Sequence, residues 1–384
     1  MFRIHRPRTA ILAAAGTAAL ALAAPATAWA SSGHAAPRSA RFPHGHHNLA
    51  LHQVNLASDV PGLAGLTDPD LKNPWGAALT PTSPLWVANQ GTDSSTLYSL
   101  APGADTVTKS SAVRVTLPGS VAGPSGLVAN PGQDFTLTNA AGASAPAAFI
   151  FATLDGHLEA WSPKVDPLIG DTQDVATVAG AGYTGLAVAS TAYGDRLFAA
   201  NFVQGTLDVF DSAFHQVKLQ SWQFTDRRLP AGFVPFNAQA LGGRVFVTYD
   251  KPDPTTHREG VGAGIGVVDE YSTSGRLITR IATGGALNAP WGLTIAPPSW
   301  GAAAGSLLIG NFGDGRINVF AREGRGFARH ATGQVVNRKT GKPFAEPGLW
   351  QLQPGTATTG GTNAIWFTAG INEEADGLLG VLRP

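Results

Sequence analysis

The side chains best equipped for chemistry in this chain are amides and carboxylates. Asn73, Asn201, Asn237, Asn288 and Asn311 recur beside short apolar runs, and the stretch Ile371–Gly377 (INEEADG) sets Glu373, Glu374 and Asp376 close together. Amide and carboxylate oxygens are the ligands that hard cations such as calcium take. The same groups can hydrogen-bond a polar ligand. They are also favoured in tight turns, where the side chain bonds nearby backbone and tolerates a positive φ. Both readings, site and turn, stand at this stage.

Other familiar chemistries leave little trace. The chain has no cysteine, so it offers no thiol nucleophile and no disulfide. It has no G-x-S-x-G elbow. It has no H-E-x-x-H pair, and the glycines of Gly262–Gly266 lack a Walker lysine and a following helix. His157, His215, His257 and His330 are scattered; of these only His257, in a long loop, invites a test. Lysine plus arginine balance aspartate plus glutamate at 26 each, which is not the basic footprint of a nucleic-acid binder.

The elements that must position the amides repeat along the chain. Pro290–Ala321 reads as three short strands, with Asp314-Gly315 as a hairpin signal because glycine accepts the positive φ of the turn. Related stretches lie at Asn73–Leu100, Gly123–Ser162, Tyr183–Asp211, Pro235–Ser272 and Gly348–Leu382. Most are followed by a further strand-like piece, such as Val113–Gly119 or VKLQSWQF after Asp211. The period is roughly 50–60 residues, which signals a repeat architecture. The last copy is one strand short, while a spare piece, Gln53–Ser58, precedes the first. Closing a ring with that piece removes the exposed edges of an open array. The expected fold is all-β: a six-bladed β-propeller of four-stranded antiparallel blades, its last blade closed by the N-terminal strand.

In such a ring the loops between second and third strands share a face with the connections that lead into each inner strand. That face would gather the five asparagines and the 373–376 cluster around the channel mouth, together with Asn89, Asn372, Asp155 and Asp314. Trp75-Gly76, Thr184-Gly185 and Trp291-Gly292 open inner strands, where glycine permits close approach and an aromatic packs between blades. Lys251–Gly266 is the longest insertion within a hairpin and is expected to be exposed and mobile.

Residues 1–30 read as a signal peptide: Arg3, Arg6 and Arg8, an apolar run over Ala10–Ala24, and Ala28-Trp29-Ala30 as the cleavage site. Residues 31–52 read as a disordered, histidine-bearing linker, and 53–384 as the propeller domain. The expected location is secreted, extracellular or in the cell envelope, with no stable membrane insertion after signal removal.

The motifs TDPDLKNPWG (Thr67–Gly76), LPAGFVPFNAQ (Leu229–Gln239), GNFGDGRINVF and FTAGINEEADGLLG resemble an uncharacterised family of secreted bacterial six-bladed propeller proteins with NHL-like blades. The resemblance covers nearly all of the mature chain. Some relatives carry a PEP-type C-terminal sorting tail; this sequence shows none, so retention by that route is not expected. More distantly the blades resemble gluconolactonase-like propeller enzymes, which implies a metal held by acidic and asparagine residues at the axis.

The expected function is a ligand- or protein-binding scaffold that uses the loop face around the channel. The alternative is a metal-dependent hydrolase or lyase of the gluconolactonase-like type. Any cofactor is expected to be a divalent cation such as calcium. The expected partner is a small ligand or an envelope or extracellular protein, with no nucleic acid, and the protein itself is expected to be a monomer.

Overall fold

The computed structural model describes residues 48–384. The expected signal segment and the first part of the expected linker lie outside the described residues.

Apolar runs of five to eight residues become strands buried on both faces. Leu85–Asn89, Phe149–Thr153 and Leu307–Asn311 are buried at every position, as a continuous apolar run bounded by turn residues requires. Antiparallel pairing follows chain order within each sheet. The first unit runs Pro74–Ala78, Leu85–Asn89, Ser94–Ser99 and Arg114–Thr116. The second runs Pro124–Ala129, Phe149–Thr153, His157–Trp161 and Gln173–Thr177. The fourth runs Val234–Leu241, Arg244–Asp250, Val267–Ser272 and Leu277–Thr283. The fifth runs Pro290–Ile295, Leu307–Asn311, Ile317–Phe320 and Gly333–Asn337.

The sixth unit holds Leu349–Pro354, Ile365–Ile371 and Asp376–Arg383. Its outer strand is Leu49–Ser58, which pairs antiparallel with the chain's last strand in the register Val54 to Val381 and Ser58 to Leu378. The N-terminal strand therefore closes the last sheet. It begins at Leu49, ahead of the expected Gln53, and its first residues pair in parallel with Val335–Asn337 of the fifth unit. One strand thus ties two sheets together.

The third unit departs from the pattern. It has three strands, Tyr183–Thr191, Gly194–Asn201 and Thr206–Phe210. The fourth strand expected over VKLQSWQF does not form. After a bridge of Phe210 to Gln216 and a bond from Val217 N to Val209 O, the chain leaves the sheet in turns. Gln220 and Gln223 bond each other there, and Phe224 packs on Phe198 and Tyr271 instead of continuing the ladder.

Consecutive sheets share apolar clusters. Leu85, Val87 and Tyr98 of the first unit pack with Trp366, Leu379 and Val381 of the sixth. Phe198, Leu207 and Val209 of the third meet Val245, Val247 and Tyr249 of the fourth. The clustering of first against last makes the array a closed ring, and the fold is a β-propeller.

Every inner strand carries a register shift near its start, at Pro74/Ala77, Tyr183/Gly185, Pro235/Asn237 and Pro290/Gly292 among others. Bulges bend a strand and re-aim its side chains. Here they bring neighbouring backbones together: a Cβ on Gly292 would sit 2.4 Å from Trp350 O. Side-chain bonds then stitch unit to unit. Thr184 Oγ1 donates to Phe236 O at 2.7 Å, Asn237 Nδ2 to Trp291 O at 2.8 Å, and Thr368 Oγ1 to Trp75 O at 2.6 Å.

Candidate functional site

The first residues of the inner strands meet on the axis. Trp75 of the first unit stacks on Trp350 of the sixth, with centroids 3.6 Å apart, and meets Trp291 of the fifth edge-on at 6.2 Å. Phe236 of the fourth unit reaches Trp350 at 6.1 Å. Phe202 and Phe312, from loops between second and third strands, complete a buried aromatic cluster. Rings from units that are not neighbours touch, so the channel is plugged by aromatic side chains. Trp291 Nε1 donates to Thr184 O and Trp350 Nε1 to Asn73 Oδ1, whereas the buried Trp75 Nε1 has no partner among the described residues.

Polar groups ring one end of this plug. Asn73, buried and at φ 42°, accepts from Trp350 and donates through Nδ2 to Gln90 Oε1 at 2.9 Å and Glu374 Oε2 at 3.3 Å. Glu374 is the last of three consecutive left-handed residues, Asn372, Glu373 and Glu374. Left-handed backbone is unfavourable for residues with a Cβ, and such positions gather at functional sites. From the fourth unit, Arg258 reaches across to Glu374 Oε1 while also holding Glu259 Oε1 at 2.6 Å. Burial pushes the Glu374 carboxyl up to about 7, against the pull of Arg258. Arg258 is about half exposed. The first, fourth and sixth units thus converge on one half-covered polar floor.

Half of the insertion that carries Arg258 is exposed, and its C-terminal part is fastened. Gly260 N donates to Asp250 Oδ2 at 2.8 Å and Gly262 N to Asn288 Oδ1 at 2.7 Å. Burial lifts the Asp250 carboxyl to about 7, and its other oxygen has no partner among the described residues. His257 sits at the tip of a turn, at φ 58° and exposed.

The other expected site residues fall into two groups. Asn201, Asn237, Asn288 and Asn311 are buried and spend their amides on the protein's own structure. Asn201 Nδ2 donates to Asp208 Oδ2 and Gln204 Oε1, and its Oδ1 accepts from Gly182 N and Gln204 N. Asn311 Nδ2 bonds Ala286 O and Asp314 Oδ1, although its Oδ1 finds no partner among the described residues. Asp376 accepts from Asn372 and faces Lys72 at 3.7 Å; the Asn372 bond first and Lys72 after it hold its carboxyl low. Glu373 is exposed. Of the expected residues, only Asn73 and Glu374 come together at the mouth. Among the described residues no three His, Asp or Glu side chains are arranged to hold a metal ion.

Sequence reasoning missed Arg258, Gln90 and Asp250. The charged tripeptide Arg258-Glu259-Gly260 inside the longest insertion was the available signal. A loop with no periodic pattern does not say which way it folds.

No family model matches the chain. Among solved structures it is similar to Penicillium chrysogenum α-L-arabinanase complexed with arabinobiose, with a TM-score of 0.50 at 10% identity over 87% of this chain and 98% of that one. That likeness concerns the fold alone. In sequence it is 34% identical over 332 residues to the uncharacterised protein R648 of Acanthamoeba polyphaga mimivirus, covering 85% of this chain and 78% of that protein. It is 31% identical over 345 residues to the uncharacterised protein L690 of the same virus, covering 87% and 86%. With identity sustained over most of both partners, the chain belongs to the family of these mimiviral proteins.

Proposed function

We propose that the protein is a binding propeller of six blades, exported by its N-terminal signal, which takes a small polar ligand or a partner's side chain at the axial mouth. The observation that carries this is the reach of Arg258 from the fourth unit to Glu374 beside Asn73. A half-exposed guanidinium above a partly buried carboxylate is held by a charge pair that an incoming carboxylate or amide can replace. The aromatic plug forbids passage along the axis, so the mouth acts as a shallow bowl. Arginine suits this role because its planar fork pairs with carboxylates bidentately.

Calcium belongs in the same test, because Glu373, Glu374 and Asp376 share one short loop. Thermal-shift screening of carboxylic acids, sugars and divalent cations would supply hits, and titration calorimetry their affinities. The reading expects Arg258→Ala or Glu374→Gln to weaken a hit by about tenfold or more. Hits bound equally by both variants would remove the mouth as the site.

A further inference from the structure

A second pocket lies on the outer rim, where the chain of the third unit leaves its sheet. Trp222, Arg227, Arg228, Ile278, Arg280 and Arg329 line most of it, and its volume is about 700 Å³. That is within the ~300–1,000 Å³ usual for ligand sites. The pocket joins the turn-rich segment after the third unit, the outer strand Leu277–Thr283 of the fourth, and the loop after the small hairpin Arg322–Glu323 and Gly326–Phe327 of the fifth.

Its charges are unequal in role. Arg280 is committed to structure: it pairs with Asp226 and with the buried Asp269, and donates to Arg228 O. That fastens the turn segment to the fourth sheet. Arg227, Arg228 and Arg329 are exposed, and among the described residues none of the three is in a salt bridge with a carboxylate. Arg329 spends one donor on Arg280 O. Glu270 faces Arg244 at 3.5 Å and lies within reach of the Arg329 charge. In a chain of formal net charge zero with 14% charged residues, three such guanidinium groups around one pocket are a local excess. Beside them, Trp222 is 50% and Ile278 43% exposed.

We propose that this rim pocket binds a short acidic saccharide, one bearing carboxylate or sulfate groups. Guanidinium groups bind both oxyanions through paired N–H donors. An exposed indole offers the flat apolar face on which a sugar ring stacks, with a polar edge left to the solvent. A nucleic acid needs a basic track spanning many phosphates, and this patch is a single pocket on a neutral protein.

The experiment is titration calorimetry of the full mature chain with tetragalacturonate and with a chondroitin sulfate tetrasaccharide. Maltotetraose serves as the neutral control and oligothymidylate as the nucleic-acid control. At least one acidic saccharide should bind, more weakly as salt rises, and maltotetraose should not. The arm that binds identifies the acidic group. The double variant Arg228→Ala with Arg329→Ala, and separately Trp222→Ala, should each weaken binding by about tenfold or more. All three side chains are exposed, so both variants should fold; circular dichroism checks this. Failure of both acidic saccharides to bind the wild type would overturn the proposal, and so would unchanged affinity in the variants. Oligothymidylate bound as tightly as the saccharides would overturn the saccharide assignment. The mouth variants Arg258→Ala and Glu374→Gln should leave this binding intact, which separates the two sites.

Discussion

The third and sixth units both lack a fourth strand from their own stretch of chain, and they resolve the lack differently. The sixth recruits Leu49–Ser58 from the other end of the chain and regains a full ladder. Leu56 and Ala57 of that strand are completely buried between sheets. The third recruits nothing. Its edge is covered by turns, with Val217, Leu219 and Phe224 only partly buried against the core. An edge at the ring's seam must be paired, because there it also joins the first and last sheets. An edge elsewhere only has to be blunted, and the turns that blunt it leave room for a pocket.

That contrast can be broken by mutation. The largest effect should come from the seam: Leu56→Ala should cost about 2–5 kcal/mol in urea unfolding, whereas Leu219→Ala in the third unit should cost about 1 kcal/mol or less. Equal losses would mean that the two edges are equally important. Next, the units should be alike at the axis even though they differ at the rim. A Cβ on Gly185 of the third unit would meet Asn237 Oδ1 at 2.0 Å, and one on Gly292 would meet Trp350 O at 2.4 Å. Gly185→Ala and Gly292→Ala should each cost about 1–3 kcal/mol. A harmless Gly185→Ala would show that the third unit is loose throughout.

An acid raised by burial lies at each region, Asp269 of the fourth unit behind the third unit's turns and Glu374 in the sixth unit, each to about 7. The folded state holds these protons more tightly than the unfolded chain does. Their contribution is therefore greatest below the ordinary carboxylate range and is lost as pH rises through about 7. Asp269→Asn and Glu374→Gln should each flatten that decline by on the order of 1 kcal/mol, read as urea midpoints against pH. An undiminished slope would remove the assignment. The smallest effect is expected at the rim pocket, where Trp222→Ala should change stability by less than about 0.5 kcal/mol.

Much of the fold was legible in the sequence. Apolar runs such as LWVAN and LLIGN can be buried on both faces only in stacked sheets, and the spare strand at Val54 balanced the deficit after Leu382. VKLQSWQF misled because its alternation has a strand period while its side chains find better partners in turns. The candidate site was harder to read. Asn237 occupies the place that Gly185 and Gly292 hold in their own inner strands, so its amide crosses to the next unit and serves the ring. Asn201 and Asn311 close their own loops. Glu374 and Asn73 gain meaning only from Arg258, which lies 116 positions from Glu374. No local pattern could announce that contact.

The most direct measurement is a cross-link across the seam, and the absence of native cysteines gives it a clean background. Val54 and Val381 stand directly opposite each other, and residues so placed in antiparallel strands lie about 4.5–5.5 Å apart, within disulfide reach. The double variant Val54→Cys with Val381→Cys should oxidise to a single intramolecular bond and raise the urea midpoint. A folded double variant that stays reduced under the same oxidant would contradict the closed ring.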